Sequence, residues 1–338
     1  MRAYTKEDLA RLANDASSVV SYGVPVNVKR SPAGLAEGYL DPWVLESLKT
    51  GLEKRVFRKS LKATWTSFEK NNIKVRYWKI EVPDHQTKKP AYVNIHGGGW
   101  SAGHATKDSD ALRTLAEQAG AVVFDLEYSL SPQARFPAAV EECYAALKHI
   151  YTNSENLGID ATRITVGGGS AGGNLAAVMA LLARDEKIPM IASQVLLVPV
   201  LLLQQNGYPE FFIDDVCFKI ASEKETCFHR PPNPANEPTD SEMIANYLEN
   251  LSQADDFRAS PILARDFRGL PPALIITAEF DRMRPHGEFY ASQLASAGVP
   301  VRVVRYQGLL HDSIAKFGIV PQAEDKTCEI IKLIRNGL

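Results

Sequence analysis

One short segment, Gly168-Gly169-Ser170-Ala171-Gly172, constrains the fold more than any other part of this sequence. It follows a short, mostly β-branched run and precedes a helical pattern that begins near Gly172. A serine on a tight turn between strand and helix is strained, and glycines two residues before and after it let neighbouring backbone pass without a Cβ clash. This context is typical of a nucleophile elbow. A phosphate-binding loop is the alternative, but no lysine follows in the position that it requires.

Strand-like and helix-like segments alternate along most of the chain. Short, largely β-branched runs predict strands at residues 74–82, 91–95, 121–126, 163–166, 194–198, 273–277 and 301–306. Helical periods predict helices at residues 107–118, 137–151, 172–184, 286–296 and 324–335. Several of the strand runs are apolar on both faces, which is typical of strands covered by helices on both sides. The alternation predicts an α/β fold with a mainly parallel, doubly wound sheet.

A second glycine-rich segment, His96-Gly97-Gly98-Gly99-Trp100, follows the predicted strand 91–95. Successive glycines allow the backbone to turn its N–H groups toward one point, and acyl transfer needs such donors where the tetrahedral oxyanion develops. We expect an oxyanion hole formed by the amides of Gly97, Gly98 and Ala171.

His96 begins this segment and is open to two interpretations. It could act as a general base, or its side chain could brace its own loop. A base must reach the Ser170 hydroxyl, and the residue that opens the oxyanion loop points elsewhere, so we favour the bracing role for His96.

These motifs resemble those of the hormone-sensitive-lipase-type esterases of the α/β-hydrolase fold, which share HGGG and Gly-x-Ser-Ala-Gly-Gly-Asn. Residues 128–132 and 136–139 are similar to the family's YRLAPE…FPAA segment, residues 278–284 to its AxxDPLRDEG block, and residues 306–311 to its Y-x-G-x-x-H-G-F block. The blocks run in the family's order from about residue 91 to 315. The resemblance implies an α/β-hydrolase core with a helical cap.

The resemblance also implies a catalytic triad in the chain order Ser, Asp, His, which the fold's general pattern expects as well. Matched residue by residue, Ser170 is the nucleophile, Asp281 orients the base, and His311 is the base. Asp281 and His311 each lie just past a predicted strand. The carboxyl ends of parallel strands meet at one edge of a sheet, so we expect both residues at the edge that holds Ser170.

Other residues compete for these roles. Glu279 and Asp312 are rivals for the acid, but Glu279 would alternate to the other side of the chain and Asp312 directly adjoins His311. The remaining histidines apart from His96 are expected to be solvated or structural, and they are His85, His104, His149, His229 and His286.

The sequence departs from the family pattern at three places. Gly169 stands where the family often has an acid, residues 281–286 read DRMRPH rather than DPLRDE, and Asp312-Ser313 replaces Gly-Phe after the base. No triad member is lost. The carboxylate of Asp312 beside His311 leads to the hypothesis that it raises the pKa of His311 or disfavours anionic substrates.

The length of 338 residues suggests about two domains, but the motifs indicate one interrupted domain. We expect the α/β-hydrolase core at residues 56–203 and 256–338. An N-terminal cap arm at 1–55 and a cap insertion at 204–255 would meet over the substrate site. Aromatic and aliphatic residues in these two segments are candidates for an apolar lining, namely Trp43, Tyr208, Phe211, Phe212, Ile213 and Phe218.

Composition excludes several function classes. A net charge of −2 gives no basic surplus for nucleic acid or an anionic membrane. The four cysteines form no CxxC pair, so neither a zinc site nor a disulfide framework is indicated. No signal peptide or membrane span is visible. We expect a soluble, cytoplasmic protein without metal or cofactor, and the resemblance allows a homodimer.

The predicted function is that of a serine carboxylesterase acting through an acyl-enzyme on short- to medium-chain or small-molecule neutral esters, with a deacylase of specialised metabolism as one form of it. Two alternatives stay open. The HGGxW segment also resembles arylformamidases, which points to amide hydrolysis. Some relatives of this fold are ligand-binding proteins or natural-product cyclases, although such proteins commonly lose a triad residue.

Overall fold

The computed structural model describes residues 20–21, 24–29, 60–70, 73–83, 88–203, 240–281, 283–318 and 320–338. These ranges contain a ten-stranded sheet. Its strands are β1 (Val20–Ser21), β2 (Val24–Lys29), β3 (Lys62–Lys70), β4 (Ile73–Glu81), β5 (Lys89–Ile95), β6 (Val122–Glu127), β7 (Ile159–Gly169), β8 (Ser193–Leu197), β9 (Ala273–Phe280) and β10 (Val301–Leu310).

The strand order across the sheet is β1-β2-β10-β9-β8-β7-β5-β6-β4-β3. From β2 through β6 in that order every neighbouring pair is parallel, whereas β1, β4 and β3 pair in antiparallel fashion. Strand β7 lies between β5 and β8, so the segment that leads to Ser170 is near the middle of the sheet.

Helices connect the parallel strands. They are α1 (Ser109–Ala119), α2 (Ala138–Thr152), α3 (Ser154–Leu157), α4 (Ala171–Asp185), α5 (Asp240–Tyr247), α6 (Arg284–Ser296) and α7 (Pro321–Asn336). Short 3-10 turns follow at Leu251–Asp255, Pro261–Leu263 and His311–Ala315. Among the helices of the described ranges, none has the length and apolar character that crossing a bilayer requires.

The core lies on both faces of the sheet, as the strands apolar on both faces predict. Helices α1 and α7 cover one face, and α2, α4 and α6 cover the other. All seven residues of β5 and all five of β8 are buried. Helix α4 is buried along almost its whole length, because it packs directly behind the central strands β7 and β8.

The structure confirms the α/β-hydrolase fold class, and all seven predicted strands and all five predicted helices are present. Their boundaries shift by a few residues. The largest difference is in β7, which begins at Ile159 and reaches Gly169, so the strand ends directly at Ser170.

Two strands correct the expectations for the N-terminal part. Residues 1–55 were assigned wholly to a cap arm, yet β2 pairs in parallel with β10 and extends the sheet. Its alternating valines are the period-two signal that could have identified it. Strand β3 was also missed, because this antiparallel edge strand buries little and carries no clear apolar face. Two further helical patterns in the N-terminal part of the sequence, at residues 7–16 and 42–54, lie outside the described residues.

Candidate active site

Ser170 occupies the turn between β7 and α4. Its backbone has φ 56° and ψ −118°, a conformation that a non-glycine residue rarely adopts. The strand ends at Gly169 and the helix begins at Ala171, so one residue makes the whole reversal. This strained turn is the geometry expected of a nucleophile elbow.

The glycines on either side of Ser170 are required by close packing. A Cβ atom on Gly168 or on Gly172 would lie far inside van der Waals contact with the carbonyl oxygen of Ile95. That carbonyl belongs to the last residue of β5. The two glycines therefore bring the elbow against the point where the oxyanion loop leaves the sheet.

His311 connects Ser170 to Asp281. Its Nε2 lies 2.9 Å from Ser170 Oγ, and its Nδ1 lies 2.9 Å from Asp281 Oδ2. The Asp281 carboxylate is almost fully buried, and its other oxygen accepts a hydrogen bond of 2.8 Å from the Met283 amide. Both carboxylate oxygens are thus held, whereas the His311 ring stays partly open to solvent.

Gly97 and Ala171, two of the three predicted oxyanion residues, lie beside the same serine. The Cβ position of Gly97 lies 3.4 Å from Ser170 Cβ, which places this part of the loop directly beside the nucleophile. Gly98 has φ 132°, a conformation that favours glycine, and its carbonyl accepts hydrogen bonds from the Ser101 and Ala102 amides. Ala171 is the first residue of α4, where helix amides have no intrahelical acceptor.

His96 is buried beneath this loop and does not face the nucleophile's partners. Its Nδ1 lies 3.0 Å from the Gly97 carbonyl oxygen. Its ring stacks on Tyr128 at a centroid distance of 4.3 Å, and the Tyr128 hydroxyl donates to the His96 carbonyl. Burial lowers the pKa of His96. These contacts support the bracing role.

Helix α5 lies over the oxyanion loop, which the sequence did not predict. The Tyr247 ring stacks on Trp100 at 4.3 Å, and Met243 lies against Gly99, so that a Cβ there would meet its sulfur. Arg135 Nη1 donates hydrogen bonds of 2.6 Å to the carbonyls of Ala245 and Leu248. The end of the expected cap insertion is therefore anchored on the site. An apolar pattern at residues 243, 244 and 247 was the available signal.

The carboxylate that meets His311 Nδ1 belongs to Asp281 rather than to a rival acid. Asp312 is exposed, and the Glu279 carbonyl accepts a hydrogen bond from Arg284. His149 stacks on Phe68, while His286 Nδ1 accepts the Leu201 amide. His104 is exposed. The remaining candidates, comprising two histidines and the proposed cap lining, lie outside the described residues, namely His85, His229, Trp43, Tyr208, Phe211, Phe212, Ile213 and Phe218.

Comparisons with known proteins agree with this geometry. Residues 92–315 match the protein family described as alpha/beta hydrolase fold. The chain is similar to the carboxylesterase NlhH of Mycobacterium tuberculosis, with 34% identity over 271 residues that cover 79% of each chain. It is also similar to an arylesterase of Saccharolobus solfataricus, with 32% identity over 69% of this chain and 71% of the relative.

Solved structures give the same result. The fold is similar to that of a hyperthermophilic esterase from the archaeon Pyrobaculum calidifontis, with a TM-score of 0.71 and 30% identity. That similarity covers 88% of this chain and 93% of the archaeal chain. The family match at residues 92–315 spans Ser170, Asp281 and His311.

Proposed function

Because this chain belongs to the alpha/beta hydrolase family, we propose that it is a serine carboxylesterase that works through an acyl-enzyme. One observation carries the proposal: a single imidazole lies 2.9 Å from a serine hydroxyl on one side and 2.9 Å from a buried carboxylate on the other. The relatives named carboxylesterase and arylesterase support the same reaction class.

The three side chains divide the proton transfers between them. His311 Nε2 takes the proton of Ser170 as its Oγ attacks the ester carbonyl, and later delivers that proton to the leaving alkoxide. Asp281 holds the His311 tautomer with Nδ1–H pointing at its carboxylate, and stabilises the imidazolium that forms. Water then attacks the acyl carbonyl as it gives a proton to His311 Nε2, and His311 returns that proton to Ser170 Oγ as the acid leaves.

The negative charge of the tetrahedral intermediate develops on the former carbonyl oxygen. We assign its stabilisation to the amides of Gly97, Gly98 and Ala171, which lie on the two segments that flank Ser170. Preorganised donors of this kind lower the barrier because they need no reorientation as charge develops. Ala171 contributes in addition the positive end of α4.

The substrate class follows from the resemblance and from charge. We place the chain among the hormone-sensitive-lipase-type esterases, with short- to medium-chain or small neutral esters as substrates. In this proposal the N-terminal segment and residues 204–255 form the cap, with β2 assigned to the core. A cytoplasmic location and a homodimer remain predictions, which fractionation and sedimentation measure.

Replacement of the nucleophile tests the proposal. Ser170→Ala should abolish burst kinetics with an activated aryl ester and labelling by a fluorophosphonate, leaving only the roughly 10³–10⁴-fold residual rate over water that the remaining groups supply. Asp281→Asn should retain labelling at a much reduced rate, because the His311 tautomer is no longer fixed. Ser154→Ala, on α3 at the opposite end of β7, is the matched control and should behave as the unaltered protein.

Full activity in Ser170→Ala would contradict the acyl-enzyme. Hydrolysis of a formylanilide faster than that of a short aryl ester would instead favour the amidase alternative. An unaltered protein that binds esters and is not labelled would indicate a ligand-binding relative.

A further inference from the structure

The oxyanion loop has two limbs that meet at its base. The chain leaves β5 after Ile95, passes through the glycines, and returns at Ala105 and Thr106 before α1 begins. The limbs touch near the base, because a Cβ on Gly103 would meet both the carbonyl oxygen of Gly97 and the His96 ring. Because the two limbs touch, a side chain that fixes the returning limb also restrains the glycine amides between the limbs.

One carboxylate connects the returning limb to the end of β5. Asp125 Oδ1 accepts a hydrogen bond of 2.7 Å from the side-chain Nδ2 of Asn94, the residue of β5 that precedes Ile95. Asp125 Oδ2 accepts a second one of 2.7 Å from the Thr106 amide on the returning limb. Asn94 and Asp125 are direct neighbours across β5 and β6, so the carboxylate is itself fixed by the centre of the sheet.

The next side chain on the same face of β6 adds a second bond to the returning limb. Glu127 Oε2 accepts a hydrogen bond of 2.6 Å from the Ala105 amide. Two adjacent backbone amides thus meet two carboxylates, and Thr106 adopts φ 80°, which is unfavourable for a threonine. The loop returns in a strained conformation that the carboxylates hold.

Stability of the sheet does not explain a carboxylate at this position. Asp125 is 1% exposed, and burial of a charge is unfavourable unless it is compensated. The neighbouring residues of β6 on either side, Phe124 and Leu126, are fully buried hydrophobic side chains. Of the two donors that Asp125 meets, the Asn94 side chain belongs to β5 and the Thr106 amide belongs to the loop.

We propose that Asp125 is a positioning residue for ester hydrolysis, whose carboxylate clamps the returning limb of the oxyanion loop to the end of β5 and thereby sets Gly97 and Gly98 against Ser170. This inference rests on the proposed function for its effect on rate. The clamp itself is a property of the loop and is open to a separate measurement.

The clamp depends on the charge of Asp125. The ionised carboxylate accepts both hydrogen bonds, whereas the protonated acid turns an O–H toward a donor and loses one of them. Burial raises the pKa of Asp125 to about 7, against the lowering effect of the bonds from Asn94 and Thr106. The clamp is therefore expected to weaken as the pH falls below neutrality.

Several titratable or charged groups face this region from the surrounding elements. Asp108 and Glu127 raise the pKa of Asp125 further, and Asp108 also favours the charged form of buried Lys326 on α7. On β4, Trp78 is the register neighbour of Asp125 and lies under Arg113 of α1. Within the described residues these groups include Tyr92, His96, His104, Lys107, Asp108, Arg113, Glu127 and Lys326.

The activity test compares Asp125→Asn with Asp160→Asn, the same change at the start of β7, far from Ser170. Asp125→Asn should lower kcat/KM by about 10- to 100-fold, through kcat rather than KM, because a misplaced oxyanion hole affects the transition state more than the bound ester. Toward acid pH, kcat/KM should fall more steeply in the unaltered protein than in Asp125→Asn, because only the unaltered protein loses the ionised carboxylate there. Asp160→Asn should match the unaltered protein in both measurements.

A second variant approaches the clamp from its other side. Asn94→Ala removes only the hydrogen bond that connects Asp125 to β5 and should lower kcat/KM in the same direction. The two changes should combine non-additively, because each disrupts the same clamp. Rates are referred to the concentration of sites titrated with a fluorophosphonate, so that loss of folded protein does not count as loss of activity.

Hydrogen exchange separates this inference from the proposed function. In Asp125→Asn, the amides of residues 96–106 should exchange faster than in the unaltered protein, whether or not the protein hydrolyses esters. Unchanged exchange in that loop, or a kcat/KM within about twofold with an unchanged acid limb, would overturn the clamp. Faster exchange in Asp125→Asn, together with an unaltered protein that shows neither turnover nor labelling, would overturn the role of Asp125 in ester hydrolysis.

Discussion

At the residue scale, the site depends on glycines, because their missing Cβ atoms let the backbone pack closely. Gly168 and Gly172 leave room for the Ile95 carbonyl, and Ser170 bends the chain between them. Gly169, which stands where the resembled family often has an acid, is different. Its Cβ position lies 4.0 Å from the nearest atom, the Leu197 carbonyl oxygen, so the substitution leaves open space rather than strain.

The surroundings of Gly172 and Gly169 predict opposite outcomes for the change from glycine to alanine. Gly172→Ala should lower both kcat/KM and the melting temperature, because its methyl group must displace the backbone of β5, and overpacking typically destabilises by about 1–3 kcal/mol. Gly169→Ala is the control and should leave both nearly unchanged. Equal melting temperatures for the two variants in thermal unfolding would show that the elbow tolerates a shift away from β5.

At the element scale, the segments that carry Asp281 and His311 are joined by a buried ion pair. Arg305 on β10 donates hydrogen bonds of 2.8 and 2.7 Å to the Glu288 carboxylate on α6. Thr277 on β9, the register neighbour of Arg305, donates to the same carboxylate. The pair therefore connects the three elements whose ends hold the acid and the base.

Loss of charge on one partner should destabilise the protein. Glu288→Gln leaves the guanidinium of Arg305 buried without its counter-charge, and breaking such a pair typically lowers the free energy of unfolding by about 3–5 kcal/mol. Urea unfolding measures this decrease in the free energy of unfolding. Asp266→Asn breaks the solvent-exposed pair with Arg268 and should cause no measurable change. Similar midpoints for both variants would mean that Arg305 finds another partner.

The elements also show what the sequence could and could not predict. Strands β5 and β8 were predicted because they are buried on both faces and read as continuous apolar runs. Strand β3 has one sheet neighbour and mostly exposed side chains, so its composition carries no such pattern. Helix α5 was not predicted, because a proline-rich stretch directly precedes it in the sequence. The contacts of Asp125 with the loop are long-range and leave no trace in local periodicity.

At the scale of the whole molecule, the parallel strands bring the reacting groups to one edge, and motif order was enough to predict that. The pKa shifts of buried groups could not be predicted from the sequence, because they depend on burial in the folded protein. The raised pKa of Asp125 means that the folded state holds a proton that the unfolded chain releases between about pH 4 and 7.

This difference fixes the sign of a stability change. Where the folded state binds more protons than the unfolded state, the free energy of unfolding falls as the pH rises, so Asp125 should contribute stability at about pH 4 that is lost by about pH 8. Asp125→Asn should flatten this decline in urea unfolding measured across that range. Asp160, whose pKa is lowered by Thr162, serves as the control, and its Asn variant should keep the decline. An unaltered slope in Asp125→Asn would contradict the assignment.

The distances along the chain between the reacting groups have a consequence for refolding. Ser170 and His311 are 141 residues apart, and Asp281 and His311 are 30 apart. The hydrogen bond between Ser170 and His311 can therefore form only after β7, β8, β9 and β10 have assembled, and contacts so remote in sequence form slowly. Enzymatic turnover should consequently return last after dilution from denaturant, behind helical circular dichroism, which makes catalysis a stringent reporter of completed folding.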